Sequence, residues 1–138
     1  MKRPVSLTLL LMTTCLITLS GCATVPTQDQ IDAADYGSPM VQAEAENLAK
    51  QWFANVLKDP ESARYQWNKF EKGWAAASLL DGGDHLFGYL LYCKVNAKNS
   101  FGGYTGFQNY VFVYKNNQIT GVWRQSNQTG SPIMFRVQ

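Results

Sequence analysis

Residues able to do chemistry are few in this 138-residue chain, and they are scattered. His85 is the only histidine, and Cys93 follows it eight residues later. A thiol and an imidazole in contact make a nucleophile and its base. On one extended strand, however, eight steps of about 3.3 Å hold them roughly 26 Å apart, which argues against that pairing. One histidine and one free cysteine also fall short of the three or four ligands of a zinc site, so no metal and no cofactor is expected. Asp81-Gly82-Gly83-Asp84 sets two carboxylates around a turn. A calcium loop would need further oxygen ligands at regular spacing, whereas His85, Leu86 and Phe87 come next, so the segment reads as a solvated hairpin turn. No serine stands in a Gly-x-Ser-x-Gly elbow, and Ser78 and Ser100 have no motif around them. A hydrolase would have to use His85 with Asp84 or another acid, and that alternative stays open.

The stretch Asn96 to Phe107, NAKNSFGGYTGF, gathers three glycines and three aromatics. Phosphate cradles need glycines at fixed spacing between a strand and a helix, and Gly102, Gly103 and Gly106 have neither the spacing nor a following helix. Two readings remain. Aromatic rings beside amides match an amphipathic ligand, a sugar or a peptide, which makes Asn99, Phe101, Tyr104, Phe107 and Asn109 the candidate binding residues. Alternatively the glycines supply positive φ and the aromatics fold back over the sheet. Both can hold for different residues.

The N-terminus carries a different kind of chemistry. Met1-Lys2-Arg3, the apolar run Val5 to Leu19 and the small residues before Cys22 form a secretory signal, too short for a membrane span of about 20 apolar residues. Leu19-Ser20-Gly21-Cys22 resembles the bacterial lipobox, which implies that the Cys22 thiol is acylated and that cleavage leaves it as the first residue. Two or three acyl chains, at about 0.8 kcal/mol per buried methylene, anchor stably. Ala23 lacks the aspartate that retains enteric lipoproteins at the inner membrane, so the expected location is the outer membrane, facing the periplasm. Loss of residues 1–21 removes Lys2 and Arg3 and leaves ten basic against ten acidic residues. With no basic run, nucleic acid is excluded as a partner class. Cys15 leaves with the signal and Cys22 is lipidated, so Cys93 has no disulfide partner and is expected to be a buried small hydrophobe.

These residues need elements to position them. Residues 22–37 are polar and aperiodic and read as a flexible tether on the lipidated Cys22. Ser38-Pro39 reads as an N-cap and first helical residue. The stripe Val41, Ala45, Leu48, Trp52, Val56 predicts an amphipathic helix over about 39–58, with Glu46 and Lys50 as an exterior pair. Asp59-Pro60 ends it. The period then becomes two: Ala63, Tyr65 and Trp67 predict a strand, and Gly73 to Leu80 is ambiguous but reads as a strand in a hairpin. Leu86 to Ala97 puts Tyr89, Leu91, Cys93 and Val95 on one face. Tyr110 to Tyr114 and Ile119 to Arg124 form a hairpin about Lys115-Asn116-Asn117-Gln118, and Ile133 to Val137 closes the edge. The fold class is therefore α+β, one N-terminal helix on an antiparallel sheet of about four to six strands, in a single domain over 38–138.

A helix followed by Asp59-Pro60-Glu61-Ser62-Ala63, and later by Val95 to Phe107, resembles a family of small bacterial lipoproteins and secreted proteins. The resemblance implies one coherent domain and carries over no catalytic residue. The expected function is a non-enzymatic, lipid-anchored envelope module that touches the membrane through its lipid and binds a periplasmic protein or glycan. An envelope hydrolase built on His85 and an immunity or inhibitor lipoprotein are the alternatives.

Overall fold

The computed structural model describes residues 25–76, 85–126 and 133–137. The signal segment, Cys22 and the turn at 81–84 lie outside them. The class is mixed α+β. Helices α1 (Gln28–Asp32) and α2 (Gln42–Val56) precede strands β1 (Asp59–Ala76), β2 (His85–Lys98), β3 (Gln108–Lys115), β4 (Gln118–Ser126) and β5 (Ile133–Arg136). The strands form one antiparallel sheet in the order β1-β2-β3-β4-β5, each beside its neighbour in sequence.

Alternation dictates the two faces. Leu91, Cys93 and Val95 from β2, Tyr110, Phe112 and Tyr114 from β3, and Val122 from β4 face the helix. Leu90, Val113 and Trp123 form a smaller cluster on the other side. α2 contributes Ala45, Ala49 and Phe53, all fully buried. The two alanines let the backbone come close to the sheet, and the Tyr114 hydroxyl donates to the Ala45 carbonyl at 2.7 Å. Phe53 meets Trp52, Tyr65, Tyr110 and Phe112 at centroid distances of 4.9–5.7 Å, close enough for edge-on aromatic attraction beyond plain burial. Cys93 is buried as its place on β2 requires, and burial pushes its thiol up to about 12.

The helix differs from expectation at both ends. Val41 is extended at φ −98°, ψ 151°, so α2 starts at Gln42 and not after Ser38. Ser38 instead gives its N–H to the Asn116 side chain at 2.9 Å, and the Glu44 carboxylate accepts from Val41 N–H at 3.5 Å. Val41 and Val56, placed in the apolar stripe, are exposed by 61% and 48%. The Glu46–Lys50 pair is replaced: Glu46 accepts from Gln42 at 2.9 Å, and Lys50 lies 5.7 Å from the Trp67 ring centroid.

The two pieces expected as separate strands, 63–67 and 73–80, are one strand as far as Ala76. Register shifts after Asp59 and after Trp67 absorb the extra residues, and such bulges twist an edge strand and keep it from pairing with a neighbouring molecule. The hairpin turn is as expected. Asn116 and Asn117 stand at φ 51° and 59°, the left-handed pair that a two-residue loop requires and that asparagine tolerates best after glycine.

Residues 25–37, expected as tether, include α1, whose start is closed by reciprocal bonds between Thr27 and Gln30 at 2.8 and 3.3 Å. Beyond it Asp35 pairs with Lys115 at 3.0 Å and Tyr36 meets Phe87 edge-on at 5.8 Å. This segment therefore lies at one end of the sheet, beside the 116–117 turn. β2 runs from there for 14 residues, roughly 45 Å at about 3.3 Å each, to the opposite end. There the chain ends α2, enters β1 and passes through residues 99–107.

Candidate binding site

The 99–107 connection is built by its asparagines. Asn99 Oδ1 accepts from the N–H groups of Phe101 and Gly103 at 2.9 and 3.1 Å, and the Asn99 N–H donates to the Gly103 carbonyl at 2.9 Å. Asn96 Oδ1 accepts from Gly106 N–H at 3.0 Å. Gly102 and Gly106 have φ of 79° and 90° with open space where a Cβ would stand. They serve the backbone turn and not a close approach.

The aromatics divide between the two readings. Tyr104 bridges to Lys98 and donates its hydroxyl to the Ser62 carbonyl at 3.2 Å, while the Arg64 guanidinium lies 4.3 Å from its ring centroid. It fastens the loop to β1. Phe101 does the reverse, being 96% exposed at the tip. Phe107 is also exposed, at 39%. Asn109 is not with them. As the second residue of β3 it faces the side away from the helix, where its amide donates to Gln125 at 2.6 Å beside a cavity of about 530 Å³ walled by Trp74, Leu90, Tyr92 and Trp123.

Beneath the loop is a groove that no sequence pattern announces. α2 ends at Val56 because Leu57 turns extended at ψ 147°, its N–H still held by the Phe53 carbonyl at 2.9 Å. The helix therefore leaves the last part of its sheet face uncovered. The resulting cavity, about 390 Å³, has Trp52, Val95 and Tyr110 among its apolar walls and Lys58, Lys98 and Arg124 as its charged residues. Asn99 and Thr105 bring the loop to its rim. Burial raises the Tyr110 hydroxyl's affinity for its proton, and the Arg124 guanidinium, hydrogen-bonded to it, works against that. Seven large hydrophobic residues are exposed among the described residues, and Val56, Phe101, Tyr104, Phe107 and Val137 all belong to this loop or to this groove. Scattered singly they would mean nothing; here they are gathered at one end of the sheet.

His85 opens β2 at the other end, its ring edge-on to Trp74 at 5.1 Å and near Phe87 at 6.1 Å. β2 carries both His85 and Cys93, so the strand spacing keeps them roughly 26 Å apart. Among the described residues no group of three or more His, Cys, Asp or Glu side chains is placed to hold a metal, and no helix is long and apolar enough to cross a membrane. Comparison with known proteins adds no relative: no family model matches the chain, and neither a curated protein nor a solved structure does.

Proposed function

We propose that this protein is a lipid-anchored, non-enzymatic binding module of the cell envelope. It is held at the outer membrane through acylated Cys22 and engages a periplasmic protein or glycan with the loop end of its sheet. In this reading α2 on the five-stranded sheet is a rigid unit, and its task is to present residues 99–107. The observation that carries it is the 96% exposure of Phe101 on a loop otherwise tied down by Asn99 and Tyr104. A free aromatic on an ordered loop loses little conformational freedom on binding, which is how rigid anchors become interface hot spots.

The docking of Asp35, Tyr36 and Ser38 at the far end supports the same reading. These contacts hold the N-terminal side of the domain at the end of the sheet opposite the 99–107 loop. The test is crosslinking and capture from native envelopes, comparing the wild-type lipoprotein with Phe101→Ser and with Cys22→Ser. One stoichiometric protein or glycan should be recovered with the wild type and lost with Phe101→Ser, while Cys22→Ser should lose its fatty acids by mass spectrometry. Undiminished capture by Phe101→Ser would sink the site, and an unacylated native terminus would sink the location.

A further inference from the structure

We propose that the groove between the end of α2 and the 99–107 loop binds a free organic anion, a phosphate or carboxylate joined to a small apolar group, with Lys58, Lys98 and Arg124 holding the acid and Trp52 and Tyr110 receiving the apolar part. The inference deepens the binding-module reading by naming what chemistry this end selects, and it rests on that reading only for the site.

Charge complementarity is the first argument. Three cations come from three places, Lys58 just beyond α2, Lys98 at the end of β2 with its ammonium 5.7 Å from the Tyr104 ring centroid, and Arg124 on β4, and no aspartate or glutamate lines the cavity among the described residues. The acid nearest in sequence, Asp59, directs its Oδ1 to Ser62 N–H at 3.2 Å. A chain whose mature charges balance has thus concentrated one sign in one depression. Such a concave, one-signed site raises the local concentration of the opposite ion.

The hydrogen-bonding capacity has the same polarity. Lysine and arginine only donate. The Asn99 carbonyl oxygen is consumed by the loop's own N–H groups, which leaves its Nδ2 donor. The Tyr110 hydroxyl already accepts from Arg124, which leaves its O–H. Thr105 and Gln108, also at the groove, can both donate and accept, so donors outnumber acceptors there, which suits an anion better than a neutral sugar. The floor is apolar, formed by Trp52, Val95 and Tyr110, so a bare inorganic ion would leave it unused. The volume of about 390 Å³ is at the small end of ligand pockets. The loop end also lies across the length of β2 from the Asp35 and Ser38 contacts, which favours a free anion over a headgroup of the anchoring bilayer.

The experiment uses the full lipidated chain in neutral phosphatidylcholine nanodiscs, titrated by calorimetry with hexyl phosphate, hexanoate, hexyl glucoside and inorganic phosphate. Hexyl phosphate and hexanoate should bind at least about tenfold more tightly than hexyl glucoside or inorganic phosphate. Lys98→Gln with Arg124→Gln should weaken hexyl phosphate about tenfold or more, as expected for charge-assisted bonds partly screened by solvent, and Arg124→Lys should recover part of it. Circular dichroism establishes that the variants are folded. Equal binding of hexyl glucoside would overturn the role of the cations, equal binding of inorganic phosphate the role of the apolar floor, and an unchanged double variant the site itself. Loss of the titration in phosphatidylglycerol nanodiscs would overturn the free anion in favour of a headgroup. If the anions fail to bind while partner capture still depends on Phe101, this inference falls and the binding-module reading stands. If capture is independent of Phe101 but hexyl phosphate binds as described, the reverse holds.

Discussion

The two ends of the sheet solve opposite problems. At the turn end every device closes the surface: Asn116 and Asn117 take left-handed conformations, Asn116 also receives Ser38, Lys115 holds Asp35, and Tyr36 covers Phe87. At the loop end the same kinds of residue are spent on holding a surface open. Asn99 ties the loop to itself, Asn96 ties it to β2 and Tyr104 to β1, and what they support is an exposed Phe101 beside a cationic groove. Asparagine is a structural residue at both ends. The difference lies in what the ordered backbone displays.

Four perturbations bear on this contrast, beginning with the one that should remove both ends together. Phe53→Ala deletes the ring that joins α2 to β1 and β3, and a fully buried phenylalanine leaves a cavity costing about 3–5 kcal/mol; urea unfolding followed by tryptophan fluorescence should show that loss with a single transition. A variant that keeps wild-type stability would mean that the helix does not brace the sheet.

Asn99→Ala acts on one end alone. It strips an acceptor from two backbone N–H groups and should cost about 1 kcal/mol, with amide exchange accelerated at Phe101 and Gly103 but unchanged at Asn116. Equal acceleration at both ends would erase the distinction drawn between them. Phe101→Ser goes further towards separating support from display: stability should stay within about 0.5 kcal/mol of wild type while partner capture falls. Destabilisation comparable to that of Asn99→Ala would return Phe101 to a structural role.

The smallest effect belongs to the turn end. The Asp35 carboxyl is held below its ordinary value of 3.8, chiefly by the Gly37 N–H and then by Lys115. Its folded value being the lower one, the stabilisation is present above pH 3.8 and fades as pH falls through the folded value. An NMR titration should place the midpoint under 3.8, and Lys115→Gln should raise it. A midpoint unmoved by that substitution would leave Gly37 as the whole cause.

How much of this was legible in the chain depends on the distance over which the signal acts. The face assignment of Leu91, Cys93 and Val95 follows from alternation alone, and the Asn116-Asn117 turn from two adjacent residues. β1 is harder to read because Asn68 and Lys69 interrupt the alternation, and the interruption is a register shift inside one strand and not a break between two. The start of α2 is not legible locally, because Ser38-Pro39 has the local chemistry of a cap while its partner, Asn116, is remote in sequence. Asn109 groups with the loop in the sequence reading because that reading starts β3 at Tyr110, two residues after its actual start at Gln108. Extending the alternation of Val111 and Val113 back by two would have put it on the face away from the helix. The groove was beyond reach, since Trp52, Lys98 and Arg124 meet only through the tertiary fold and no period connects them.

The strand order carries one last consequence. Every strand pairs with the one before it, so no pairing must wait for a distant part of the chain, and low sequence separation between partners speeds folding. Such a meander can be zipped up hairpin by hairpin, each strand finding its partner in the strand just formed.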